Sequence, residues 1–261
     1  NSTLTGNGTS GSPLGIALNN ANIWTGTQTF TSIAVDNIFN TSGNISISPA
    51  SKILSINGLV YQTGLGGSTY FGENAGRVDD LSNNYNTGIG YNSLYSNTEG
   101  YSNTALGYRS LYSNTGGDSN TAVGNNSLYS NTTGYFNTAL GNNSLSSNIT
   151  GNSNTAVGNN SLYSNTTGTQ NTALGHASLY FNTTGNYNTA LGYASLYSNA
   201  TGSYNTALGY YAGAYQADGS TALTDPENSI YIGYNAKGKD NNDNNSIVIG
   251  YNAVGLGANT V

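Results

Sequence analysis

The chain has 261 residues, of which 44 are Asn and 36 are Gly, so two residue types fill 80 positions. Charged residues supply 6%, against about 25% in a typical soluble domain, and the formal charge of −6 with five basic residues (Lys52, Arg77, Arg109, Lys237, Lys239) leaves no basic stripe for nucleic acid. Twenty-two Tyr exclude a disordered polar tail, three Pro exclude collagen-like and polyproline readings, and the abundance of Gly, Asn, Ser and Thr disfavours helix.

The composition predicts an all-β, turn-dense protein. Zero Cys removes a disulfide scaffold, a thiolate metal site and a Cys nucleophile together. No apolar run approaches the ~18 residues of a membrane-spanning helix. The chain opens on Asn1 with no signal-peptide pattern, which predicts a processed protein or a segment of a longer one.

Residues 1–67 show no period. The runs 33–39, 44–48 and 52–56 alternate apolar and polar residues and read as short strands. The segments Leu4-Thr5-Gly6-Asn7-Gly8-Thr9 and Ala21-Asn22-Ile23-Trp24-Thr25-Gly26-Thr27-Gln28-Thr29-Phe30 resemble stalk segments of tail-fibre proteins, which implies a β-stalk. The repeat array covers 68–209. Within it, 68–76 read as a degenerate first coil, since Gly72 lies 18 before Gly90.

From Asn86 the chain repeats. Asn recurs at 86, 103, 120, 137, 154, 171, 188 and 205, at a constant interval of seventeen, in a unit N-T-A-L-G-Y-x-S-L-Y-S-N-T-T-G-x-x. Gly fills place five (Gly90, Gly107, Gly124, Gly141, Gly158, Gly175, Gly192, Gly209) and place fifteen (Gly100 to Gly202). A fixed period of this length means a solenoid. Seventeen is no multiple of six, and Asp is nearly absent from the repeats. Hexapeptide helices and calcium-binding nonapeptide rolls are therefore both rejected.

Each unit offers two strand-like runs, T-A-L and S-L-Y-S. Alternation of side chains along a strand puts the place-four aliphatics (Ile89, Leu106, Val123, Leu140, Val157, Leu174, Leu191, Leu208) inward with the place-nine Leu column (Leu94 to Leu196), and Gly and Asn at the corners, where left-handed φ is tolerated. The Ala column (Ala105, Ala122, Ala139, Ala156, Ala173, Ala190, Ala207) then faces out. The entropy cost of ordering a whole coil outweighs the burial of its two or three aliphatics, so the expected remedy is oligomerisation through the Ala face.

Residues 210–227 read as a loop insertion that lengthens one coil by a seven-residue excursion, between Gly209 and Gly233. In residues 228–261, Asn228-Ser229-Ile230-Tyr231-Ile232-Gly233 returns as Asn245-Ser246-Ile247-Val248-Ile249-Gly250, and Asn259 follows after 14. This N-S-I-x-I-G pattern resembles the head repeat of trimeric autotransporter adhesins, and the 17-residue unit resembles repeats of phage tail fibres. The likeness covers residues 68–261. It implies a left-handed parallel β-roll, a homotrimer and an extracellular setting, on a cell surface or a virion. The adhesin pattern has Ile-x-Ile where the units here have Thr-Ala-Leu, so a thinner core is expected.

Few residues suggest chemistry. His176, the only histidine, occupies a corner that holds Tyr or Asn in sibling coils and reads as a surface substitution. Between Asn86 and Gly209 the charges are Glu99, Arg109 and Asp118, so no carboxylate pair is available there. No enzyme and no cofactor are expected. The oxygen-rich run Asp240-Asn241-Asn242-Asp243-Asn244 offers Ca²⁺ ligands at Asp240 and Asp243 but reads as a solvated turn. The column Tyr95, Tyr112, Tyr129, Tyr163, Tyr180 and Tyr197 reads as a packing ladder, with a strip that binds a cell-surface glycan or protein receptor as the alternative. Asn131, Asn165 and Asn182 head glycosylation sequons. The functional expectation is an extracellular fibre with a structural and adhesive role. The alternatives are a purely structural filament subunit joined end to end and, more distantly, a fibre-borne glycan hydrolase.

Overall fold

The structure is a computed structural model and describes residues 4–5, 15–16, 67–79 and 84–260. The chain divides into two units, Asn1–Leu59 and Val60–Val261. In the first, strands β1 (Leu4–Thr5) and β2 (Gly15–Ile16) pair antiparallel. The strands expected over 33–39, 44–48 and 52–56, and with them the stalk, lie outside the described residues.

The second unit is an all-β parallel solenoid. Its strands are β3 (Thr69–Phe71), β4 (Thr87–Ile89), β5 (Thr104–Leu106), β6 (Thr121–Val123), β7 (Thr138–Leu140), β8 (Thr155–Val157), β9 (Thr172–Leu174), β10 (Thr189–Leu191), β11 (Thr206–Leu208), β12 (Ile230–Ile232) and β13 (Ile247–Ile249). They form one 11-stranded sheet in chain order. Every pairing is parallel and in register, Thr on Thr and Ala on Ala through the regular coils, as in Thr138↔Thr155 and Ala139↔Ala156. Strand β12 continues it with Ile230 on Thr206 and Ile232 on Leu208.

The second expected strand is absent. The S-L-Y-S run is a turn, because its Leu takes a left-handed backbone (φ 48 to 52 from Leu94 to Leu196). It is still laddered between coils, with Leu111 N donating to Ser127 O and Ser113 N to Tyr129 O. The corners follow expectation in part. Gly at place five is left-handed, as expected (φ +127 to +139 from Gly90 to Gly209), and so is Asn at place seven (Asn92, Asn126, Asn143 and Asn160). Arg109 takes the same backbone at place seven, however, and place seventeen, with residues such as Ser153 and Phe136, is a further left-handed corner. The Asn at places one and twelve have ordinary φ and serve another purpose.

The faces of the strand are reversed from the sequence expectation. Ala105, Ala122, Ala139, Ala156, Ala173, Ala190 and Ala207 are buried in the core with the place-nine leucines. The place-four aliphatics, from Ile89 through Leu140 to Leu208, lie on the outer face, 36 to 45% exposed except for half-buried Val123. So short a coil is too narrow for two large side chains facing each other. With Leu at place nine, only a methyl fits at place three. The exceptions support this: where place three is Tyr70, a Cβ at Gly76 or Gly88 would strike its ring, at 2.5 and 2.8 Å.

The remaining interior is polar and bonded by two asparagine ladders. At place one, Asn103 donates its backbone N–H to Asn86 Oδ1 (2.8 Å) and its side-chain amide to Gly117 O (2.8 Å). At place twelve, Asn114 donates to Asn97 Oδ1 (2.6 Å) and to the same Gly117 O (2.9 Å). The pattern repeats up the stack, and both columns are buried. Each ladder therefore satisfies the side-chain amides that a thin core would otherwise leave unpaired.

After Tyr210 the lengthened coil follows the regular path to Ala214 and rejoins it at Thr224, whose carbonyl accepts from Ala200 N (2.6 Å). Between them, residues 215–223 form a small hairpin closed by the bridge Tyr215↔Ala222. Leu223 from this hairpin enters the core. It stands where the next place-twelve Asn would be, so Asn199 Oδ1 is left without a partner and the ladder stops.

Candidate functional surface

Two surfaces of the solenoid repeat with the coils. The first is the outer face of the sheet. Place two presents Thr in the regular coils and Ile230 and Ile247 in the last ones; place four presents Phe71 and then aliphatics throughout, ending in Ile232 and Ile249. In-register parallel pairing turns these into two adjacent columns, one Thr-rich and one apolar, through all eleven strands.

The second surface is aromatic. The expected column is observed as stacked rings: Tyr95–Tyr112 at 5.0 Å, Tyr112–Tyr129 at 5.2 Å, then a break at Ser146, then Tyr163–Tyr180 at 5.1 Å and Tyr180–Tyr197 at 5.3 Å. Adjacent rings are 7 to 23° from parallel, so each ring spends its faces on its neighbours. What the ladder offers outward is ring edges and hydroxyls, which suits packing better than face-on stacking of a sugar.

A second ladder at place six escaped the sequence reading. It runs His176–Tyr193 (5.0 Å), Tyr193–Tyr210 (5.1 Å), Tyr210–Tyr234 (5.0 Å) and Tyr234–Tyr251 (5.1 Å), with Tyr91–Tyr108 (5.4 Å) as an earlier piece. Asn125, Asn142 and Asn159 interrupt it. The signal was present as Tyr directly after Gly90, Gly107, Gly192, Gly209, Gly233 and Gly250. His176 is thus one rung of an exposed stack.

Tyr211 bridges the two ladders, edge-on to Tyr193 (5.6 Å), Tyr197 (6.4 Å) and Tyr210 (4.7 Å). Burial, and then electrostatic repulsion from the neighbouring Tyr193 and Tyr215 phenols, raise its pKa to about 12. Arg109 lies over Tyr108 (5.0 Å) and Tyr112 (5.8 Å), joining the two columns lower down by cation–π contact.

The other singled-out residues fall elsewhere. Asp240 Oδ1 accepts from Asn242 N (2.8 Å). Asp243 is not solvated: it is buried, with Oδ1 accepting from Ser246 Oγ (2.9 Å) and Oδ2 from the Tyr231 hydroxyl (3.4 Å). Burial, and then the Asp243 carboxylate, push the Tyr231 phenol above its ordinary range. Among the described residues no three His, Cys, Asp or Glu side chains gather where they could hold a metal ion, and no helix is long and apolar enough to cross a membrane. Asn131, Asn165 and Asn182 are buried, with side-chain amides committed to the place-twelve ladder, so a glycan has no room on that nitrogen in the folded coil. At the β13 end a shallow apolar cavity of about 320 Å³ is lined by Ile247, Val248, Ile249, Val254 and Leu256 among others.

No family model, curated protein or solved structure matches the chain.

Proposed function

We propose that this chain is an extracellular fibre protein of a cell surface or virion, with a structural and adhesive role and without catalysis, and that it assembles as a homotrimer through the outer face of its long sheet. The observation that carries this reading is the unbroken column of outward apolar side chains from Phe71 and Ile89 to Ile249. Scattered surface leucines are ordinary, but a contiguous apolar stripe on a soluble protein marks an interaction surface. The stripe contains no charged residue, and Ile230, Ile232, Ile247 and Ile249 of the adhesin-like N-S-I-x-I-G repeats fall on the same face.

The interface is moved from the Ala column to the Thr–aliphatic column. The ladder tyrosines then line a second surface, suited to contact with a glycan or protein receptor through hydroxyls and ring edges.

The molar mass of the full chain in solution tests the assembly. Three chains per particle are expected, and Leu140→Glu with Val157→Glu yields folded single chains, because both positions face outward. A folded single chain without substitution would overturn the reading. Adhesion is read separately, from binding of the labelled chain to intact cells and immobilised glycans, with loss expected on Tyr193→Ser and Tyr210→Ser.

A further inference from the structure

We propose that the tyrosine ladders are sites of oxidative coupling, in which a one-electron oxidant of the haem-peroxidase class, using hydrogen peroxide, joins tyrosines of successive coils as dityrosine. The inference rests on ring geometry and composition and does not depend on the adhesive reading. The chain has no Cys, no Met and one Trp, against 22 Tyr. The residues that ordinarily absorb oxidation are missing, so an oxidising equivalent comes to rest on tyrosine.

The rings it reaches are already in place. Tyr234 and Tyr251 are 5.1 Å apart and 15° from parallel, and Tyr95 and Tyr112 are 5.0 Å apart and 14° from parallel. Along the place-six ladder Tyr193, Tyr210, Tyr234 and Tyr251 are all exposed, 43 to 76%. Holding two reactants in contact raises their effective concentration by orders of magnitude.

The step balances simply. Each phenol loses one electron and its hydroxyl proton, giving two phenoxyl radicals. Their ortho carbons form one C–C bond, and the two displaced ring hydrogens return to the phenolic oxygens as protons. Two electrons and two protons leave in all, and one hydrogen peroxide takes them up to become two waters. The consequence follows from the architecture: each coil contacts mainly its neighbours, so a covalent link between successive coils opposes fraying where no disulfide is available.

The sequence supplies its own readout. Lys237 and Lys239 lie between Tyr234 and Tyr251, and Arg109 lies between Tyr95 and Tyr112. The dilute full chain is treated with a haem peroxidase and hydrogen peroxide, denatured and cut with trypsin. Expected is 240–261 joined to 110–237, lighter than the sum of its parts by two hydrogens for each coupling in the product, at about tenfold or more the yield from chain unfolded in urea before oxidation. Tyr234→Phe keeps the ring stack but lacks the phenol; it abolishes this joined pair and leaves the Tyr95–Tyr112 link intact. The oxidised chain also melts at a higher temperature. Equal yield from folded and unfolded chain, links only between chains, or persistence of the joined pair in Tyr234→Phe would overturn the proposal, and an unchanged melting temperature would overturn the stapling role.

Discussion

The ring of Tyr231 occupies the space that a side chain on Gly213 would need: a Cβ there would come within 2.7 Å of Tyr231 Cδ2 and 2.9 Å of Leu196 Cδ2. Gly213 stands at the place that holds Leu in every regular coil, with the same left-handed backbone, and Tyr231 stands where those coils have Ala. The two places share one volume. Gly213→Leu alone therefore overpacks the core and destabilises by about 1–3 kcal/mol or more. Tyr231→Ala alone opens a cavity and costs about 3–5 kcal/mol. The double substitution rebuilds the regular Leu–Ala pair and recovers most of both losses. A double-mutant cycle by thermal or urea unfolding checks this, and additive losses would refute the shared volume.

The place-fifteen glycines are set by crowding alone. A Cβ on Gly151 would lie 2.4 Å from Asn148 Oδ1 and from Gly168 O, where Gly151 O also accepts from Asn137 and Asn148. Gly151→Ala parts both ladders at that coil and costs about 2–4 kcal/mol through unpaired buried amides. Ser147→Ala, one place before the ladder residue Asn148, serves as a control of near-zero cost, and a urea melt distinguishes the two.

Place seventeen holds the opposite opportunity. Ser153 is exposed with φ +57, a conformation that Asn tolerates better than Ser. Ser153→Asn stabilises by about 0.5–1 kcal/mol, read as a raised urea midpoint with an unchanged slope.

Stability changes little across neutral pH, because the regular coils carry Glu99, Arg109, Asp118 and His176 as their ionisable groups other than Tyr. The alkaline limb is set by tyrosine. The folded pKa of Tyr211 is raised to about 12 from an ordinary 10.0 and that of Tyr231 is raised as well. The folded state holds protons that the unfolded chain has already released, so stability is complete below pH 10 and falls as pH rises through about 12. Tyr211→Phe flattens that limb. At the acid end, bonds from the Thr221 hydroxyl and from the Thr221 and Ser220 amides hold exposed Asp218 at about 2. Its contribution is present above pH 3.8 and is lost as pH falls through about 2. Melting temperature against pH, with and without Tyr211→Phe, measures both limbs.

The period, the parallel stack, the inward Leu column and the place-five corners were legible in the sequence because each is a column of identical residues at fixed spacing. The orientation of the T-A-L strand was not. Alternation permits either Ala or Thr and Leu inside, and hydrophobicity favours the wrong choice; coil width decides, and width is a property of the folded turn. The buried Asn ladders were equally hidden, because Asn reads as a turn residue until its side-chain bonds are seen. The left-handed Leu at place nine contradicts its local preference and is held there by the core it fills. The place-six Tyr ladder was readable in retrospect from spacing alone.

Orientation and assembly meet in one measurement. The chain has no cysteine, so Ala139→Cys and Leu140→Cys, adjacent in strand β7, each carry a single thiol. After mild oxidation, a non-reducing gel should show linked chains for Leu140→Cys, whose side chain lies on the outer face proposed as the seam between copies, and single chains for Ala139→Cys, whose thiol is sealed in the core. Linked chains from Ala139→Cys, or none from Leu140→Cys, would contradict the account.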